Sequence, residues 1–173
     1  MKLTWFGGTA LRVYVGGEIV VVDAEFAPAG VDRAELLAGA GFSVKLGGPP
    51  AIDPAQWRPA PPPRGIDDPR PIEIASIAPF SLLIAASSEP PLVVLGPGQP
   101  PRYGRWADGA VVLVTSSRES VVAEVTVLLD VARPRMVVLA FEGDGLDTAI
   151  AEISEHLQGV GLAALEPGLA LEV

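Results

Sequence analysis

Two uninterrupted apolar runs set the strictest limit on what this chain can fold into. Residues 19–22 (IVVV) and 136–140 (MVVLA) contain no polar side chain. Successive side chains of a β-strand point to opposite faces, so a strand apolar at every position must be covered on both faces. That demands at least one further layer on each side of a sheet. Runs rich in β-formers recur at 1–6, 10–15, 72–77, 80–86, 91–95 and 110–115. In 10–15, Leu11, Val13 and Val15 alternate with Arg12 and Tyr14, which suits a strand covered on one face. The Gly16-Gly17 pair joins 10–15 to 18–23 as a two-residue hairpin turn.

Helical spacing appears between the strands. Residues 31–41 offer Asp32 as an N-cap and Gly39 or Gly41 as a stop, and a brief apolar run, 42–46, follows. Residues 116–132 carry Val121, Val122, Val125, Leu128, Leu129 and Ala132 on one face and end at Arg133-Pro134. Residues 145–158 align Leu146, Ile150, Ile153 and Leu157. The last stretch, 161–173, reads as a hairpin turning at Glu166-Pro167-Gly168. A run of strands with helices added outside predicts a layered α/β (α+β) sandwich with mixed sheets.

The 173 residues fit one domain, residues 1–173. Its one break in character is 49–71, where nine prolines forbid helix and interior strand and leave a long irregular connection. The apolar share of 49% comes from Ala, Val and Leu rather than aromatics, so the expected core is aliphatic. A formal charge of -9, with twelve basic residues in groupings no longer than Arg102/Arg105 and Arg133/Arg135, argues against nucleic acid as a partner. There is no cysteine for a disulfide or a thiolate metal site. The chain shows no targeting pattern at its start and no run of about 20 apolar residues, so the expectation is a cytoplasmic protein with no membrane partner.

Side chains that could carry chemistry are few. The single histidine, His156, falls near the polar face of the 145–158 helix, and one histidine without cysteine does not make a zinc site. Carboxylates that could pair or hold Mg²⁺ are Asp23 at the end of a buried strand, Asp67-Asp68, Asp108, and Glu142, Asp144 and Asp147 after MVVLA. The structural alternative is that Asp23 caps a turn and that GDGLD opens a helix, where acids favour the positive end of the dipole. Ser116 and Ser117 follow a strand but have no histidine base, and neither Lys2 nor Lys45 is close in sequence. GPGQP at 96–100 reads as a turn, because its prolines remove the donors a phosphate would need.

The opening MKLTWFGGTALRVYVGGEIVVVD resembles that of the metallo-β-lactamase superfamily, in its ascorbate-6-phosphate lactonase-like, zinc-dependent hydrolase branch. That branch begins with a Trp-Leu-Gly-His corner, a strand, a Gly turn and an apolar strand ending in Asp. Trp5, Phe6, Gly7 and Asp23 match it, and Gly8 stands at the histidine. Laid on the family's His-x-His-x-Asp-His motif, the next stretch places Gly47, Pro49, Ala51 and Ile52 at the ligands. IASIAPFSLLI, VVLGPG and RPRMVVLAFEGDG are similar to later ligand-bearing segments, with Phe80, Pro97 and Phe141 at the ligand positions. The resemblance implies a four-layer αββα sandwich, shortened and without the family's metal ligands, hence no cofactor.

Three functions follow as expectations. The first is a catalytically inactive member of the fold serving as a binding, regulatory or structural module, with a protein partner or a second copy of itself. The second is a metal-independent enzyme or sensor for a small molecule that reuses the remnant cleft, with Asp23, Thr115, Ser116, Glu142 or Asp144 at its rim. The third is a divergent metal-dependent hydrolase.

Overall fold

The computed structural model describes residues 1–61, 65, 71–87, 89–141 and 143–173, and the backbone alone of Arg118. Asp67, Asp68 and Glu142, together with much of the proline-rich connection, lie outside the described residues.

Two mixed sheets stack face to face. The first contains β1 (Lys2–Gly7), β2 (Ala10–Val15), β3 (Glu18–Val22), β4 (Phe42–Val44) and β11 (Ala170–Glu172), in the order β11-β1-β2-β3-β4. All its pairings are antiparallel except β3 with β4. The second contains β5 (Ile72–Ala78), β6 (Ser81–Ala86), β7 (Leu92–Leu95), β8 (Val111–Val114), β9 (Met136–Leu139) and β10 (Gly161–Ala164), in the order β10-β9-β8-β7-β6-β5. Here β5, β6 and β7 are antiparallel, and β7 to β10 run parallel.

Three separate apolar clusters mark three interfaces, and therefore four layers. Between the sheets, Leu3, Trp5, Val13, Val20 and Val22 meet Leu82, Ile84, Val94, Leu113 and Val138. Outside the second sheet, Val93, Leu95, Val112, Val137 and Leu139 pack under α2 (Arg118–Val131) and α3 (Leu146–Ser154). Outside the first sheet, Ala10 and Val21 are covered by Ala27 and by Leu36 of α1 (Arg33–Leu37). This is the αββα order that the resemblance implies.

The two runs that opened the sequence reading show why the layers are needed. Val20 and Val22 face the opposing sheet while Val21 faces α1, and all three are fully buried. Likewise Val137 and Leu139 face the helices while Val138 and Ala140 face the first sheet. At about 1.5–3 kcal/mol per fully buried large aliphatic side chain, such two-sided strands dominate the hydrophobic driving force.

The expected helices form, each shorter than its apolar spacing. Asp32 caps α1 by accepting from the Ala34 and Glu35 N–H groups. The Arg12 guanidinium then donates to the Leu36 and Ala38 carbonyls, satisfying the helix's free C-terminal end. Gly39, at φ +71°, turns the chain out of α1.

One pairing differs from the sequence reading. Residues 161–173 do not form a hairpin: β10 adds in parallel to β9, and β11 crosses to the other sheet and pairs with β1. The turn at 166–168 is real, but Gly168 donates its N–H to the Trp5 carbonyl at 2.7 Å rather than closing a two-strand ladder. A short isolated hairpin is marginal in water, whereas the open edges of β9 and β1 each offer a ready partner. Among the described residues no helix is long and apolar enough to cross a membrane.

Candidate functional site

The segments that resemble ligand-bearing motifs gather at the C-terminal ends of β5, β7 and β8, where β3 and the 45–50 loop reach the same end of the sandwich. Asp23 organises the first-sheet side. Its backbone sits at φ 52°, ψ 40°, and its N–H donates to the Val44 carbonyl at 2.8 Å. The carboxylate is buried and fully engaged. Oδ2 accepts the Thr9 hydroxyl at 2.6 Å, and Oδ1 accepts the Leu46 N–H at 3.0 Å. Asp23 thus staples the β1–β2 corner to the end of β3 and to the following loop. It does not cap the short 3-10 turn after it through its side chain.

Gly8 sits in that corner at φ +53°, exposed, with its carbonyl accepting the Trp5 indole N–H at 3.0 Å. A Cβ there would meet only the Phe26 carbonyl, at 3.9 Å. The corner is the hairpin turn between β1 and β2, with a bulge between Trp5 and Gly7. The positive φ of both Gly7 and Gly8 favours glycine at the corner.

Gly47 is different. It also has a positive φ, +73°, but a Cβ on it would lie 2.1 Å from the Pro79 carbonyl oxygen and 3.2 Å from the carbonyl carbon. Backbone meets backbone there, and no rotamer change relieves it. Gly96 repeats the arrangement one strand over. Its Cβ would lie 2.7 Å from Leu46 Cδ1 and 2.8 Å from the Phe80 carbonyl, which already accepts the Gly96 N–H. The turn at 79–80 is therefore clamped between two glycines, with the Leu46 side chain filling the corner.

The remaining positions disperse from this point. Pro49, Ala51 and Ile52 run along β5: Ser76 Oγ donates to the Pro49 carbonyl, Ser76 N–H to Pro50, and the Ile52 N–H to Ser76. Ala51 is exposed and Ile52 packs on the helix-side core. Phe80 is 51% exposed, with its ring over Gly98 beside the exposed Pro97. Phe141 is half-buried against the helix-side core. Neither phenylalanine fills the corner.

Among the described residues, the polar side chains expected at a rim each engage a separate partner or face solvent. Thr115 donates its hydroxyl to the Leu95 carbonyl at 3.0 Å. Asp144 is exposed ahead of α3. Ser116 is buried on the helix side, where its hydroxyl donates to Glu124 Oε2 at 2.6 Å. Glu124 is not among the candidates that strand ends suggest; the sequence signal for it is its place in α2 between Val121 and Leu128, a carboxylate on an apolar stripe. Burial pushes its carboxyl above the ordinary range, and hydrogen bonds from Ser116 and Ser120 offset only part of that. The nearby Tyr103 phenol is pushed up in turn, first by burial and then by the Glu124 charge. Among the described residues, no three His, Asp or Glu side chains come together as a metal ion would require.

No protein-family model matches this chain, and no curated protein matches it. Among solved structures it is similar to Igni18, a metallo hydrolase from the hyperthermophilic archaeon Ignicoccus hospitalis. That likeness spans 99% of this chain and 98% of the other, at 16% identity and a TM-score of 0.45.

Proposed function

We propose that this chain is a catalytically inactive relative of the metallo-β-lactamase-type hydrolases, a single-domain binding, regulatory or structural module that has given up the zinc site. The observation that carries this reading is the contact at Gly47. A position that the family resemblance assigns to a ligand is packed so that even one side-chain atom would collide with the Pro79 carbonyl.

The residues at hand do not fit the metal. Gly8, Gly47, Pro49, Ala51, Ile52, Phe80, Pro97 and Phe141 offer no side-chain donor. Asp23, the buried carboxylate beside the Gly8 corner, already spends both oxygens on Thr9 and Leu46. Replacing ligands by apolar or absent side chains also avoids burying unpaired polar groups once the metal is gone. A module of this kind acts on a protein partner or a second copy of itself.

The test is metal content and titration of the purified protein. We expect no stoichiometric zinc by elemental analysis and no saturable heat on titration with Zn²⁺. One tightly held equivalent of zinc, accompanied by hydrolysis of lactone or phosphoester substrates, would overturn the reading.

A further inference from the structure

At the N-terminal ends of β5, β7 and β8, the opposite end from Gly47, lies an open groove of about 640 Å³. It is walled by Trp57, Tyr103 and Trp106 and rimmed by Arg58, Arg102 and Arg105. We propose that this groove is a binding site for a small aromatic anion, a planar ring carrying a carboxylate or a phosphate.

Charge is the first argument. The chain carries a net charge of -9 and twelve basic residues in all, yet three of them meet at this one groove. Among the described residues, no carboxylate pairs with Arg58 or Arg102. Among the described residues Arg58 donates to the Ala55 and Trp57 carbonyls, and Arg102 is exposed. The acid in the lining, Asp108, reaches Arg105 only at 3.9 Å and gives its other oxygen to the Arg133 N–H. Three guanidinium groups against one lining carboxylate, in an otherwise acidic protein, present a local site complementary to an anion.

The second argument is the wall. Both indole N–H groups are satisfied inside the protein: Trp57 donates to Glu73 at 3.0 Å, and Trp106 to the Arg102 carbonyl at 3.2 Å. Their polar edges are thus spent; Trp57 is buried in the helix-side core, while the half-buried Tyr103 and Trp106 add apolar ring surface to the groove. Aromatic rings and three guanidiniums lining one groove match a ligand that is flat and apolar in its body and anionic at one end. The volume falls within the ordinary range of small-molecule sites, roughly 300–1,000 Å³. The inference shares no residue with the Gly47 corner and holds whether or not that corner binds metal.

The experiment titrates the full chain with adenosine 5′-monophosphate and, separately, with indole-3-acetate, following heat and tryptophan fluorescence. Adenosine and indole-3-acetamide serve as uncharged counterparts. We expect saturable binding of at least one anion, weakened at least tenfold by removal of its charge and at least tenfold by Arg102→Ala/Arg105→Ala. Trp106→Phe should weaken it less than the double arginine variant, and Arg135→Ala, an exposed arginine elsewhere, should leave it unchanged. Preference for the phosphate or the carboxylate arm identifies the anion. The arginines are exposed, so the variants should keep the wild-type melting temperature, and any loss then reports on the site. The proposal fails if neither anion saturates at millimolar concentration, if the neutral compounds bind equally well, or if the double variant binds as the wild type does.

Discussion

At the C-terminal ends of β5, β7 and β8 the chain closes on itself through glycines and carbonyl groups, whereas at their N-terminal ends it opens into a groove walled by indoles and rimmed by guanidiniums. The two ends share the same sheet and differ in what fills the space. One is built from backbone, whose position is set by strand register and cannot adjust to a larger residue. The other is built from side chains, half of them exposed, which can be exchanged without moving the sheet. Function that depends on the first end is hard to regain by substitution, while function at the second is easily gained or lost.

That contrast is most sharply broken at Gly47. Gly47→Ala places a methyl group against the Pro79 carbonyl at a positive φ, and we expect a loss of roughly 3 kcal/mol or more, read by urea denaturation. Wild-type stability in this variant would mean that the 79–80 turn can retreat and that the corner is not closed by backbone.

Asp23→Ala comes next, because it orphans the buried Leu46 N–H and the Thr9 hydroxyl, at a cost of about 2–3 kcal/mol. Asp23→Asn keeps one acceptor and tolerates the left-handed backbone, so it should lose about half as much. Equal losses in the two variants would show that charge rather than hydrogen bonding holds the staple.

Smaller effects appear with pH. The Glu124 carboxyl lies above the ordinary value of 4.5 in the folded state, so the folded chain binds that proton more tightly than the unfolded one. Its contribution is most favourable below 4.5 and declines as pH rises through the folded value. Glu89 behaves oppositely. Burial alone would raise it, but the Met1 ammonium at 2.8 Å and the Gly16 N–H at 2.7 Å prevail and lower it. Its contribution is present above 4.5 and is lost as pH falls through the folded value. Stability measured between pH 3 and pH 8 should therefore shift in favour of Glu124→Gln as pH rises, and in favour of Glu89→Gln as pH falls. Parallel profiles for the two variants would refute these assignments.

At the groove end the expected cost in stability is the smallest, within about 0.5 kcal/mol for Arg102→Ala/Arg105→Ala, since both side chains are exposed. A larger loss would mean that the arginines hold the fold rather than a ligand.

Much of the fold was legible in the residues themselves. IVVV and MVVLA demanded cover on both faces, and each alternates between two clusters. Asp32 and Gly39 mark the start of α1 and the exit from it as helix-ending chemistry dictates. The pairing of the last thirteen residues was not legible, because a local turn looks the same whether its arms meet each other or two distant edges. The candidate site divides in the same way. That eight positions lack donors is a property of the sequence. That Asp23 is consumed by Thr9 and Leu46, that Ser116 turns toward Glu124, and that Thr115 bonds the Leu95 carbonyl are matters of register and layer.

The sequence by itself determined that this chain is a layered sandwich with an aliphatic core and almost no side chains suited to binding zinc, because hydrophobic period and donor chemistry are carried residue by residue. Only the tertiary structure decided that one end is sealed and the other open. Whether a glycine is a spacious gap or a clash depends on which carbonyl lies opposite, and whether arginines and tryptophans from 57–58 and 102–106 form one groove depends on the strands that bring those two loops together.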